Sequence, residues 1–370
     1  MFGQRLESKL LAIEEKRGRG IAALIVSFVL MLIAAIYVRP AISTVVLGKY
    51  YALLSMDPFT ETANRVGYRI LTPLVSYLLG LRGELIIITN LIFALGFLAL
   101  GYWYFRKELT RLSDAVYATA VFAFSLVTLT TIYYGGYCDS LTYLLILLMW
   151  IHRAKLPLVA LWFFLGLLNR ESVAFLVPWF AFVYWTETPK KSKAVIEVIF
   201  WFGVAFGVYY LSRVWIDSFK DVNYDAEFYL KPLSNDFLAI FKRSYDYQWL
   251  GFFSVFKLFW IIPLMALYSF WIEKNFRTIF SMALLIVCVW SQQLIAYDSS
   301  RLMTMVFPIM IIALLEILKD NTFGFRSWAV LILIFNFLVP QLYTAAQIIE
   351  QMQSTVANVI DILFFGRPGW

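Results

Sequence analysis

The chain has 370 residues, 62% of them hydrophobic and 15% charged, with a formal net charge of +7. A soluble domain is about 45–50% apolar and about 25% charged, so a water-soluble globule is excluded and the apolar solvent is lipid. Two distant cysteines (Cys138, Cys288) and a single histidine (His152) exclude a disulfide framework, a zinc site and a histidine-based hydrolase triad.

Residues 1–19 mix acids with bases and place Phe2, Leu6, Leu10 and Ile13 at helical spacing. This predicts a helix lying on the cytoplasmic interface rather than a cleaved signal. Apolar runs long enough to span predict transmembrane helices over 20–38, 85–105, 114–133, 194–212, 250–272, 278–296, 302–318 and 327–345. The run 139–151 adds another if 133–136 contributes depth. Three runs are short: 70–81, opened by Thr72-Pro73, and the pair 156–168 and 172–185 that flanks Arg170-Glu171. Each helix of that pair rises only about 20 Å, less than the hydrocarbon thickness of about 30 Å. The predicted fold is all-α, a polytopic transmembrane bundle of about nine to eleven spans with short or re-entrant helices. It forms one domain over 1–345, without a clear internal repeat.

Basic residues set the orientation. Lys and Arg crowd 1–19, 106–113, 153–155, 186–193, 273–277 and 319–326, whereas 134–140 has none and 169–171 and 298–301 have Arg170 and Arg301 alone. The positive-inside rule places the first set in the cytoplasm, which accounts for the basic excess without nucleic acid. The long connections 39–84 and 213–249 and the tail 346–370 are then external.

Four polar features fall on that external side: Asp57-Pro58 with Glu61 and Arg69, the Tyr134–Ser140 turn with Asp139, Asn169-Arg170-Glu171, and Asp298-Ser299-Ser300-Arg301. Arg or Glu within a membrane segment costs about 2.5–3.5 kcal/mol each by insertion scales, so Arg170 and Glu171 ask for a reason. Beside the amino terminus of helix 172–185, Arg170 would complete an anion site; a neutralised Arg–Glu pair in a tight turn is the plainer alternative. Asp298 and Arg301 share a helical turn, as site residues or as a helix cap and a snorkelling cation. Arg69 reads equally as an interfacial anchor or a ligand contact, and Asp139 as a cap or a catalyst. Asp57 is a lone Asp-Pro turn, or a carboxylate near apolar surface that can take a proton.

Four stretches together resemble the GT-C superfamily of polytopic membrane glycosyltransferases, and its smaller bacterial members in particular. They are an acidic residue in the first external loop, Tyr68-Arg69-Ile70-Leu71-Thr72-Pro73-Leu74 opening a short helix, Leu167-Leu168-Asn169-Arg170-Glu171-Ser172 before a run with Pro178, and Asp298-Ser299-Ser300-Arg301 before Pro308. The likeness covers roughly 20–320.

The resemblance implies an external active site in a bacterial or archaeal cytoplasmic membrane and inverting transfer of a sugar from a polyprenyl-phosphate donor. The acceptor is a glycan, lipid or protein, and no metal or other cofactor is indicated. Asp57 would be the base, and Arg170, Arg301 and Arg69 would hold the donor phosphate. Glu171, Asp298, Asp139 and Glu61 would orient those arginines or bind sugar hydroxyls. Many members carry two close acids in that loop, whereas here Asp57 stands alone with Glu61 four residues on, and the large external domain of oligosaccharyltransferases is not visible. Two rival readings are a transporter or flippase of anionic substrates, which should show related halves and polar residues toward both faces, and a non-catalytic membrane partner.

Overall fold

The computed structural model describes residues 2–60, 65–219, 237–294, 298–345 and 348–355, so Glu61 lies outside the described residues. Helices α1 (Phe2–Arg17) and α2 (Arg19–Tyr37) are followed by α3 (Leu47–Met56), α4 (Leu71–Leu78) and α5 (Ile86–Glu108). Next come α6 (Leu112–Ala123), α7 (Leu126–Tyr133), α8 (Asp139–Ile151), α9 (Leu156–Asn169), α10 (Val177–Glu187) and α11 (Lys191–Asp217). The chain continues through α12 (Phe237–Phe256), α13 (Ile261–Ile272), α14 (Phe276–Ser291), α15 (Ser299–Met303), α16 (Pro308–Lys319) and α17 (Arg326–Leu338). A two-stranded antiparallel ribbon, β1 (Leu342–Ala345) and β2 (Ile348–Gln351), follows.

Among the described residues, five helical units are long and apolar enough to cross a membrane, or up to seven if each bent pair is one span. Asp139–Ile151, Leu156–Asn169 and Arg326–Leu338 are apolar but shorter. The outward surface is that of an integral membrane protein. Ile21, Leu24, Phe28, Leu32 and Ile36 of α2 are exposed, and so are Ile196, Ile199, Phe200, Leu211 and Trp215 of α11. Continuous apolar exposure of this kind is stable only against lipid.

Several predicted spans are interrupted, each for a local reason. The run 114–133 bends by 49° between α6 and α7, where Ser125 is extended and its hydroxyl donates to Phe122 O at 2.9 Å. The run 302–318 bends by 41° before Pro308, whose ring nitrogen has no proton to donate to the helix ladder. The run 250–272 breaks at buried Lys257, which takes a positive φ of 48°. Its ammonium donates to Tyr37 Oη at 2.8 Å, Asn336 O at 2.8 Å and Val339 O at 3.0 Å. These oxygens at the ends of α2 and α17 replace its water. The run 327–345 is helical only to Leu338 and then turns into the ribbon, so part of the expected tail pairs back as β2. The loop expected over 213–249 is shorter, because α11 extends to Asp217 and α12 begins at Phe237.

Ion pairs sort the connections into two ends. At one end Arg326 grips Asp114 and Leu318 O, Arg153 pairs with Glu187 at 2.7 Å, and Arg106 pairs with Glu14 at 3.1 Å. The opposite end holds Asp139, Arg170, Asp298 and Arg301. There, loop 39–48 lies directly on the turn between α7 and α8. Ala41 N donates to Ile132 O at 2.8 Å and Val45 N to Gly135 O at 3.2 Å. The backbones approach so closely that a Cβ on Gly135 would sit 2.2 Å from Ser43 O. Gly135→Ala should therefore cost about 1–3 kcal/mol through overpacking. Thermal unfolding in detergent checks this: a midpoint equal to wild type would mean the loop yields freely.

Candidate functional site

The site is built from helix ends. Asp139 is the first residue of α8 and is 2% exposed. One oxygen meets Arg170 Nη1 and the other meets Arg301 Nε at 2.5 Å. Arg170 follows the last residue of α9, and Arg301 lies on α15, so one carboxylate joins three helices. Arg301 also donates to Asp298 Oδ2 at 2.8 Å. The i,i+3 spacing brings that pair together as expected. Asp298 makes no capping bond through its side chain; Tyr343 Oη of β1 donates to its other oxygen at 2.8 Å.

Arg170 and Glu171 do not pair with each other. Arg170 is extended, with φ −160° and ψ 116°, so the two neighbours project in different directions. Arg170 turns to Asp139, and Glu171 receives Arg69 Nε at 2.9 Å. Arg69 Nη1 also donates to buried Tyr51 Oη at 3.3 Å. Burial opposes the Arg69 charge, but Glu171 and Tyr51 outweigh it and hold the guanidinium above its ordinary range. The expected α-helical amino terminus beside Arg170 is absent. Glu171–Leu176 is a tight 3-10 segment, and the α-helix starts only at Val177. Any anion binding here therefore falls to side chains.

Burial is graded across the group. The side chains of Asp139, Arg170 and Arg301 are 3%, 6% and 2% exposed, whereas Arg69, Glu171 and Asp298 are 22%, 28% and 21% exposed. The centre is sealed and the rim is within reach of a ligand. Three cations face three carboxylates, so the field at the rim is local rather than one of net charge. Among the described residues, buried Arg170 Nε has no hydrogen-bond partner, an unused donor at the centre of the group. Among the described residues, no three His, Cys, Asp or Glu side chains come together as a metal site.

Neutral side chains position these charges, a role their sequence does not mark. Asn169, 1% exposed, donates to Cys138 O and Thr142 Oγ1, both at 2.8 Å, and accepts from Thr72 N and Oγ1 at 3.2 and 2.7 Å. It pins α4, the turn before α8, and α8 itself to the end of α9. Tyr137 lies under the Arg301 guanidinium, 4.1 Å from ring centroid to carbon. Tyr51, Tyr137 and Tyr343 are ordinary aromatic residues in sequence, and nothing in their spacing marks them. Asp57, by contrast, ends α3 exposed, with Oδ1 accepting from Phe59 N at 3.1 Å in its own turn. Phe59 anchors that turn against Trp215 and Phe219, and no described contact joins Asp57 to the arginines.

These features define an all-α integral membrane protein with a buried, charge-compensated arginine centre at one end. No known family matches the chain, and no characterised protein or solved structure matches it either.

Asp139→Asn should destabilise the fold by about 3–5 kcal/mol, because it leaves two buried guanidinium groups without their shared counter-charge. Asp298→Asn, at the rim, should cost far less. Thermal midpoints of the two purified variants compare them; equal losses would contradict the graded burial.

Proposed function

We propose that the chain is a GT-C-like membrane glycosyltransferase that moves a sugar from a polyprenyl-phosphate donor to a hydroxyl acceptor with inversion. The observation that carries this reading is the buried Arg170 Nε without a partner among the described residues, set among Arg69 and Arg301 with a rim open on the Arg69–Glu171 side. A phosphate arriving at the rim competes with Glu171 for Arg69, and the buried Arg170 guanidinium adds positive charge behind it. Guanidinium suits phosphate because its planar fork donates from several fixed positions.

On this reading, the acceptor oxygen forms a bond to the anomeric carbon while its proton passes to a carboxylate, for which Asp57 is the candidate. The electron pair of the breaking carbon–oxygen bond leaves on the polyprenyl phosphate. Negative charge on that phosphate grows toward the transition state, which is where fixed donors contribute most. Asp139 and Asp298 orient Arg301, Asp139 orients Arg170, and Glu171 does the same for Arg69. The bundle has nine to eleven crossings on this reading, once the shorter helices α8, α9 and α17 and the segment 171–187 pair with the longer ones. The positive-inside rule then puts the Arg326 end in the cytoplasm and the arginine centre outside.

Turnover of a polyprenyl-phosphate sugar pool in liposomes tests the chemistry. Arg170→Lys should keep the charge and lose the fork, lowering transfer by about 100-fold with folding intact. Asp57→Asn should lower it by about 100-fold or more. Full transfer by folded Asp57→Asn would remove it as the base. Movement of the labelled lipid between leaflets without sugar transfer would instead make the protein a flippase.

Orientation has its own measurement. The native cysteines are buried, so new thiols report cleanly. A membrane-impermeant maleimide should label Arg82→Cys on intact cells and Lys190→Cys only after permeabilisation. The reverse pattern would place the arginine centre on the cytoplasmic face.

A further inference from the structure

A cavity of about 330 Å³ opens beside loop 39–46, between that loop, the end of α7 and strand β2. Its floor is Tyr133 and Tyr134, its polar wall is Glu350 with Gln353 and Arg39, and its outer lip is Ile42 and Val46. The lip residues are 88% and 67% exposed. Apolar side chains this open, at the end of a membrane bundle, face lipid or a lipid chain.

Glu350 is the group that gives the cavity its chemistry. Tyr133 Oη donates to one carboxylate oxygen at 3.0 Å and Tyr134 Oη to the other at 2.7 Å. Burial, then Glu350, raises the Tyr134 phenol far above its ordinary range, so it remains a donor. Each carboxylate oxygen has two lone pairs, so both retain acceptor capacity after the tyrosines are served. The half-buried carboxylate is thereby fixed in direction, and Arg39 lines the same cavity near Tyr133.

The cavity is also wired to the arginine centre. In the ribbon, Glu350 stands directly opposite Tyr343, so the two side chains share one face. Tyr343 reaches Asp298, the partner of Arg301, while Glu350 reaches Tyr134. The Tyr134 and Tyr343 rings are 4.4 Å apart, and Tyr134 stacks on Tyr137 at 5.3 Å. A wall of tyrosines thus separates the cavity from the arginines and touches both.

A fixed carboxylate and an amide beside tyrosine rings suit a polyhydroxylated group, whose hydroxyls donate to the oxygens and whose C–H faces cover the rings. A lip of exposed aliphatic side chains suits an attached hydrocarbon. We infer that this cavity, centred on Glu350, binds the sugar headgroup of a glycolipid with its chain over Ile42 and Val46. If the transferase reading holds, this glycolipid is the acceptor, and Glu350 is a positioning residue rather than the base.

Two photoreactive probes in nanodiscs test the binding without any turnover: octyl β-D-glucoside and octyl tetra(ethylene glycol), each with a diazirine in the chain. The glucoside should label peptides covering 39–46 and 348–353 of wild type. Glu350→Leu should cut that labelling about tenfold, as expected for lost hydrogen bonds to a charged acceptor, and leave labelling by the ethylene glycol probe unchanged. Gln353→Leu, which also removes a polar wall group, should cut glucoside labelling too and serves if Glu350→Leu fails to fold. Equal labelling by both probes, glucoside labelling insensitive to both variants, or labelling only elsewhere would overturn the inference. Selective labelling without liposome turnover would leave the cavity standing and remove the transferase reading; turnover without selective labelling would do the opposite.

Discussion

Two guanidinium groups share the Asp139 carboxylate at a depth where neither partner reaches water. A buried charge left alone loses solvation worth several kcal/mol, and only close, oriented counter-charges return it. The three elements that carry Asp139, Arg170 and Arg301 must therefore meet at one point, within hydrogen-bond reach. That requirement fixes the start of α8 against the end of α9 and against α15. Asn169, one residue before Arg170, reinforces the same junction by satisfying all its donors and acceptors against α4 and α8. The short helix α9 ends where this junction needs it to end.

From that centre the structure grades outward. Asp298 and Arg69 are each tied to a buried partner, Arg301 and Tyr51, while Glu171 is tied to Arg69 on the rim itself. The rim contacts can exchange at small desolvation cost, whereas entry to the sealed centre would break the Asp139 pairs. The equality of cations and carboxylates has a related consequence. It compensates the buried charge, and in the proposed transferase the same arginines would be preset donors for a leaving phosphate. The ribbon adds a second connection, since its Tyr343–Glu350 pair touches both the arginine centre and the neighbouring cavity.

The opposite end uses the same physics for a different purpose. Arg326 spans Asp114 and the carboxy-terminal carbonyls of α16, and Arg153 covers Trp150 while pairing with Glu187. These pairs are more exposed and lie where basic residues cluster in sequence, so they close helix ends without forming a sealed centre. Lys257 is the exception to two-ended sorting. It is buried beside a break in its span and stabilised by neutral oxygens and the Tyr37 ring.

Composition and hydrophobic run length determined the class of this protein, because lipid imposes a minimum apolar length that a sequence shows directly. The alternation of basic and non-basic turns likewise sorted the connections into two sets, and the structure gathers those sets at separate ends. The charges that lie in apolar surroundings were also legible, since Arg170, Asp298 and Arg301 stand out against their neighbours. Their partners were not. Arg170 pairs with Asp139, 31 residues away, and Arg301 with the same carboxylate, 162 residues away; no periodicity reports a contact across that separation. The helix breaks at Ser125 and Lys257, the return of the chain as a ribbon, and the roles of Tyr51, Asn169 and Glu350 were decided only by packing. Each depends on which hydrogen-bond partners the folded bundle supplies, and that is a property of the assembled helices rather than of any one segment.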